Sequence, residues 1–362
     1  MRIEVQPPFS AATVPWEHGD GVARLSVIAK TMHAMGHAAT PFPREAESPV
    51  LFGELPHKLK GGMDVYTETD AVPFKPKTDI VLVGSAYAPG GKPVKAMEVS
   101  IRVGKIHKAL RVIGDRKWLF PTKLTMVPNV TDPEPFTTMP LTYDRAFGGI
   151  DETSAAWYPE NPTGRGFIGK KTREAVHERP LPNIEDPADP ITSWDSRPKL
   201  PAGFGFYGRG WVPRRKYAGI YDEKHEKERA PKLPLDFSCA FFNGAHPDLQ
   251  VEGYLKGDED VDLRGGTPEG VLRFRLPGIR PRITIARWAV DPMQWIEEHV
   301  AKSPSVTLDQ IPITEEEVTP VLDTLVFLPD ERIFYEVFRA VASLKSLDSL
   351  EIARVRVESW LR

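Results

Sequence analysis

Sixteen of the chain's 36 prolines fall between residues 121 and 235. Proline lacks a backbone N–H and has a fixed φ, so it breaks helices and is confined to the edges and ends of strands. A segment this dense in proline cannot be built from long helices or central strands. The spacing therefore predicts an ordered loop region over 121–235, punctuated by the glycine-rich runs NPTGRGF and PAGFGFYGRGW. The chain as a whole has 36 prolines in 362 residues, about twice the usual 5 %. Hydrophobic residues still make up 41 %, enough for a sizeable core and too many for a disordered chain.

The flanks carry a different pattern. Residues 22–35 alternate roughly and end at Gly36, which reads as a strand. DIVLVGSAYA at 79–88, KAMEVSIRV at 95–103 and IHKALRVI at 106–113 are separated by PGGKP and Gly104-Lys105. This predicts a meander of antiparallel strands. Strands are also expected at 271–278 and 282–290, then on both sides of the Pro-Asp turn in LDTLVFLPDERIFYEVFRAV, and last at 350–360. Asp291 followed by Pro292 predicts a short helix, and Thr314 with Glu317 predicts a capping box for another. The expected fold is mainly β, with antiparallel sheets arranged as a sandwich or barrel, a long proline- and glycine-rich loop insert and a few short helices. Residues 1–120 form an N-terminal β meander, 121–235 the loop region packed on the sheets, and 236–362 a C-terminal β region. The sequence leaves open whether these make one continuous domain or two lobes.

Composition removes several function classes. A net charge of −3 and a pI near 6.3 argue against a broad nucleic-acid surface. The single cysteine, Cys239, permits no internal disulfide. MRIEVQPPFS has no apolar core behind its charge, and no run reaches about 18 apolar residues. A cytoplasmic protein with no membrane contact is expected.

Gly203, Gly205 and Gly208 match a dinucleotide fingerprint in spelling. Pro198 and Pro201 precede them and Pro213 follows, so the strand and helix that the fingerprint needs have no room. A tight aromatic–glycine loop is expected there. Gly90-Gly91-Lys92 ends in Pro93 where a phosphate loop needs Ser or Thr. His33 and His37 have i, i+4 spacing, but Gly36 interrupts them and ordinary, partly exposed histidines are expected. Asp186 and Asp189, and the run Asp258, Glu259 and Asp260, read as solvated loop acids. No nucleophile elbow is present. No cofactor, metal or small-molecule substrate is expected, and the chain does not read as an enzyme.

Two stretches remain. In PLTYDRAFGG (140–149), Arg145 stands between Tyr143 and Phe147 and is followed by Gly148 and Gly149. An arginine can stack on an aromatic ring while its fork binds loop carbonyls, and paired glycines allow positive φ or close backbone approach. The stretch reads either as a structural clasp holding the loops to the sheet or as a recognition surface built on that clasp. From Trp211 to Tyr217 aromatics alternate with Arg214, Arg215 and Lys216, and the acidic DEKHEKE follows at 222–228. That pattern favours a protein partner or an internal arginine network over nucleic acid.

Taken in order, KPKTDIVLVGSAYAPGGKPV (75–94), GDRKW (114–118), PLTYDRAFGG, ENPTGRGF (160–167), GWVPRRKYAGIYD (210–222), LPLDFSCAFFNGAHPD (233–248) and LDTLVF (322–327) resemble a bacterial type VI secretion adaptor family, first catalogued as a domain of unknown function. The resemblance runs from about residue 20 to 345. It implies a non-enzymatic cytoplasmic adaptor or chaperone that binds a secreted effector, or its PAAR-like tip domain, and helps load it onto the spike protein. The residues carried over from the matching motifs are Tyr143, Arg145, Phe147, Asn161, Trp211, Arg214, Arg215, Tyr217, Tyr221 and Asp236, as partner-binding or clasp residues. Eight tryptophans and many acids keep a carbohydrate-binding or carbohydrate-active β protein as the alternative, with Trp157, Trp194 or Trp211 lining a cleft. A structural, baseplate-like component is a third reading.

Overall fold

The computed structural model describes residues 1–36, 40–41, 49–56, 65–170, 172–300, 307–347 and 351–360. The protein is mainly β. The strands of its three large sheets are β1 (Arg2–Val5), β2 (Ser10–Glu17), β3 (Ala23–Ala34), β4 (Thr78–Leu82), β5 (Ala96–Val103), β6 (Ile106–Ile113), β7 (Ile184–Glu185), β8 (Gln250–Val251), β9 (Asp260–Arg264), β10 (Val271–Arg275), β11 (Arg280–Trp288), β12 (Ile313–Val318), β13 (Val321–Leu328), β14 (Ile333–Ser343) and β15 (Ile352–Trp360). They form three sheets. A seven-stranded sheet runs β8-β4-β13-β14-β3-β2, with Thr40–Pro41 also paired to β3; a five-stranded sheet runs β7-β6-β5-β9-β10; a four-stranded sheet runs β1-β15-β11-β12. Each sheet combines strands from both flanks of the proline-rich middle. Most pairings are antiparallel, but β4 with β13 and β1 with β15 are parallel, and no closed barrel forms among the described residues.

The middle third is loop, as its prolines require. Its strands are two or three residues long, and its helices α1 (Arg173–Val176), α2 (Val212–Arg215) and α3 (Glu223–Glu228) have at most six residues. The longest helix among the described residues, α4 (Pro292–Val300), begins where the Asp-Pro pair predicts. The Asp291 carboxylate caps it by accepting the N–H groups of Met293 and Gln294, both at 2.9 Å.

Two expectations fail. Residues 79–88 do not continue a meander into 95–103, although β5 and β6 do pair as a hairpin. TDIVL is buried at every position, so it becomes a strand inside the seven-stranded sheet with both faces covered. Thr314 and Glu317 do not begin a helix. They lie on β12, where Glu317 reaches Arg282 at 2.8 Å and Glu315 reaches Arg354 at 3.0 Å, so cross-strand pairing overrides the capping signature. A capping box forms instead at Thr307 and Gln310.

The seven-stranded sheet has two unlike faces. Along β14, Phe334, Glu336 and Phe338 alternate with Tyr335, Val337 and Arg339. On the first face Phe334 packs against Phe327 and against Phe274 of the five-stranded sheet, with centroids 5.8 and 5.3 Å apart. The second face carries buried charge. A bulge between Leu322 and Thr324 leaves Asp323 as the extra residue of β13, and Arg339 donates to it at 2.5 Å. The same guanidinium donates to the backbone carbonyls of Asp70, at 3.0 Å, and Val72. Lys30 pairs with Asp70 at 2.8 Å and lies 4.2 Å from the centre of the Tyr335 ring. Lys75 donates to Asp79 and Thr324, both at 2.9 Å. Segment 67–77 is thereby strapped across the sheet through Asp70, Lys75 and its backbone carbonyls.

Removing one partner of a buried ion pair strands the other and costs about 3–5 kcal/mol. Arg339→Met should therefore lower unfolding stability by that amount in urea titrations. Arg339→Met combined with Asp323→Leu should recover most of the loss.

Candidate functional site

The PLTYDRAFGG segment is pinned from both ends. Tyr143 is buried; its hydroxyl donates to the Gly205 carbonyl at 3.1 Å, and its ring meets Trp211 edge-on at 5.2 Å. Asn161, fully buried, donates from Nδ2 to the carbonyls of Tyr143 and Phe147 at 2.8 and 3.0 Å, and its own carbonyl accepts the Gly149 N–H at 2.8 Å. Gly148 has φ +151°, and a Cβ there would overlap the Asn161 carbonyl, so only glycine fits. The glycine loop 203–208 is the aromatic loop expected, with the Phe204 carbonyl accepting the Leu82 N–H of β4 at 3.0 Å.

Arg145 is not stacked between its aromatic neighbours. Tyr143 faces Trp211, Phe147 meets Tyr158 edge-on at 5.1 Å, and the cation over Phe147 is Arg197. Arg145 instead donates to Asn183 at 3.3 Å and contacts the Met139 sulfur. The chain's short turn over Tyr143–Arg145 points its three side chains apart, which sequence spacing cannot show.

Arg214, 1 % exposed, completes the polar face. It donates to the Phe241 and Tyr207 carbonyls at 2.9 and 2.8 Å and pairs with the Glu68 carboxylate. Next to it Asp79 accepts from Asn243 Nδ2 at 3.0 Å and from the Gly244 N–H at 2.9 Å. The motifs KPKTD and FFNGA therefore meet at one buried carboxylate.

The remaining carried-over residues face outward. Arg215 and Tyr221 are exposed, Tyr217 is half-buried with the Lys216 ammonium 4.9 Å from its ring centre, and exposed Asp236 accepts the Ile220 N–H at 3.1 Å. Ile220, Tyr221 and Leu235 present apolar surface, each more than 60 % exposed. The segment carrying Leu235 lies against Gly19, and Lys232 holds Glu17 at 2.9 Å. Beside it opens a groove of about 440 Å³ lined by Trp16, Arg24, Phe74, Phe237, Cys239 and Val341, among others. Asp20 grips Arg24 with both oxygens. Burial pushes the Cys239 thiol up, away from the thiolate form.

A scan against family models matches residues 20–339 to a family described as an uncharacterized protein conserved in bacteria (DUF2169). The chain belongs to this family. No curated protein and no solved structure matches it. No helix among the described residues of this DUF2169 chain is long and apolar enough to cross a membrane.

One cluster in the DUF2169 chain has the composition of a metal site: Asp186, His246 and Asp248. Its centre is taken by Lys108, whose buried ammonium donates to Asp186 at 2.8 Å and Asp248 at 2.9 Å. The chain thus supplies its own cation there, so Asp186 is a pairing residue and not a solvated loop acid. Burial, then the Lys108 charge, hold the His246 imidazole down at about 4, and Nδ1 accepts the Asp248 N–H at 3.1 Å. His33 likewise departs from expectation. It is fully buried, its Nε2 3.1 Å from Glu336, whose carboxyl is pushed up by burial; His37 lies outside the described residues. The three tryptophans of the carbohydrate reading separate: Trp211 is buried, Trp194 packs beside the Trp118 cluster and Trp157 is exposed on a hairpin. Sequence reasoning missed Glu68, Lys108 and His246. Only His246 sits inside a quoted motif, FFNGAHPD; Glu68 and Lys108 gave no signal, since their partners lie far away in sequence.

Gly148→Ala should lower stability by at least about 2 kcal/mol, whereas Tyr221→Ala should change it by less than about 0.5 kcal/mol, both read from urea midpoints. An unfolded histidine takes its proton near pH 6.5 and folded His246 near 4. The unfolded state therefore binds more protons between those values, and stability present above about pH 6.5 is lost as pH falls toward 4, by at most about 3 kcal/mol. His246→Asn, which keeps an acceptor for the Asp248 N–H, should flatten that part of a melting-temperature profile.

Proposed function

We propose that the protein is a type VI secretion adaptor, which binds an effector or its PAAR-like tip domain in the bacterial cytoplasm and helps load it onto the spike. The observation that carries this reading is the outward face of the 217–239 segment. There Ile220, Tyr221 and Leu235 stand exposed beside an apolar groove, on loops whose own polar groups are tied down internally. Rigid aromatic and aliphatic side chains next to a groove are the usual source of interface energy, because little side-chain freedom remains to be lost on binding. The resemblance of the ordered motifs supports the same reading. Two reactive-looking groups have internal roles, since Lys108 pairs two carboxylates and His246 is held neutral and caps a turn, while burial pushes the Cys239 thiol up, away from the thiolate form.

The test is co-expression with a PAAR-like effector encoded beside this gene, followed by affinity purification. A stable complex is expected, and the double variant Tyr221→Ala, Leu235→Glu should lose at least ten-fold in affinity while melting as the parent does. Failure of the unmodified chain to retain any such effector or spike protein would overturn the proposal.

A further inference from the structure

The five-stranded sheet ends in β10, and nothing among the described residues pairs with its outer side. The ladder to β9 is bracketed by Gly265 N–H to Gly270 O at 2.7 Å and Leu276 N–H to Glu259 O at 2.9 Å. In an antiparallel pair the hydrogen-bonded residues alternate, so Val271, Arg273 and Arg275 turn their N–H and C=O groups toward the open edge. The same three side chains are exposed, while Leu272 and Phe274 between them are buried in the core. The edge is regular, five residues long and free of proline, unlike β2, which carries Pro15.

Two of the three outward side chains on the edge strand itself are arginines. Behind them the face is balanced: Asp262 holds Arg264 and Arg273 at 3.0 Å each, Asp258 reaches Arg275 at 3.2 Å, and Asp260 lies opposite Arg275. Arg273 and Arg275 also set which strand can join. A second copy of β10 laid antiparallel would oppose arginine to arginine, which is unfavourable, whereas glutamate or aspartate opposite them is favourable.

We propose that β10 is a docking edge for an extended acidic segment of a partner protein, which adds as a sixth strand through Val271, Arg273 and Arg275. This deepens the adaptor reading, on which it rests for the nature of the partner, and it names a second contact distinct from the 217–239 face.

The probe is a short fluorescein-labelled peptide of alternating glutamate and valine, followed by anisotropy with the full chain at low and moderate salt. Saturable binding is expected. Arg273→Glu should weaken it at least ten-fold, and Arg273→Pro should do the same, because it removes an outward N–H and leaves the ladder to β9; circular dichroism and melting confirm that both variants fold. Equal binding of the lysine–valine peptide or of a thymidine oligonucleotide would overturn the choice of partner. Undiminished binding by Arg273→Pro would overturn strand addition even if Arg273→Glu is weakened, and absence of binding to the acidic peptide would overturn both. If the unmodified chain and both Arg273 variants retain the neighbouring effector equally well, this edge is not used and the adaptor reading stands. If the unmodified chain retains none, the adaptor reading itself fails.

Discussion

Three cations are buried between the seven-stranded sheet and the segment that crosses it, and sheet and segment are arranged to satisfy them. Lys30, Lys75 and Arg339 are each at most 2 % exposed. A buried charge is tolerable only when paired and hydrogen-bonded. Asp70 comes from the strap of residues 67–77, Asp79 from β4, Asp323 from the bulge in β13, and backbone carbonyls complete the set. Because Asp79 also receives the Gly244 N–H, and Glu68 receives Arg214, the same contacts extend to the 237–246 and 203–214 loops. A proline-rich third with few ladder hydrogen bonds is held in one conformation by polar contacts that are costly to leave incomplete.

That constraint explains what could be read in the sequence. The absence of long elements from 121–235 followed from proline alone, and the strands β5, β6, β11, β13 and β14 followed from their patterns. The sheet to which each strand belongs did not. TDIVL and the segment after it look continuous, yet β4 joins one sheet and β5 another, because burial on both faces is decided by distant neighbours. Thr314 and Glu317 satisfy a local helix rule but lie where arginines on two neighbouring strands await glutamates.

The motif residues were legible in the sequence, and their placement inside or outside the fold was not. Tyr143, Phe147, Asn161, Trp211 and Arg214 turn inward and fasten loops together. Arg215, Tyr221 and Asp236, drawn from the same motifs, reach the surface. A motif of alternating aromatics and basic residues cannot announce which member faces solvent, because α2 is a single turn that sends Arg214 in and Arg215 out. On the adaptor reading proposed above, the consequence is a contact surface whose rigidity comes from beneath it. Such a surface binds a partner without first having to order itself.

Native-state hydrogen exchange tests that rigidity most directly. If the buried contacts hold the loops as described, the N–H groups of Gly149, Arg165, Tyr207 and Gly244, all donated to internal acceptors, will exchange only at the rate set by global unfolding, as slowly as those of β13 and β14. Exchange of these four within minutes, while the sheet stays protected, would show that the loops open independently and would contradict the claim.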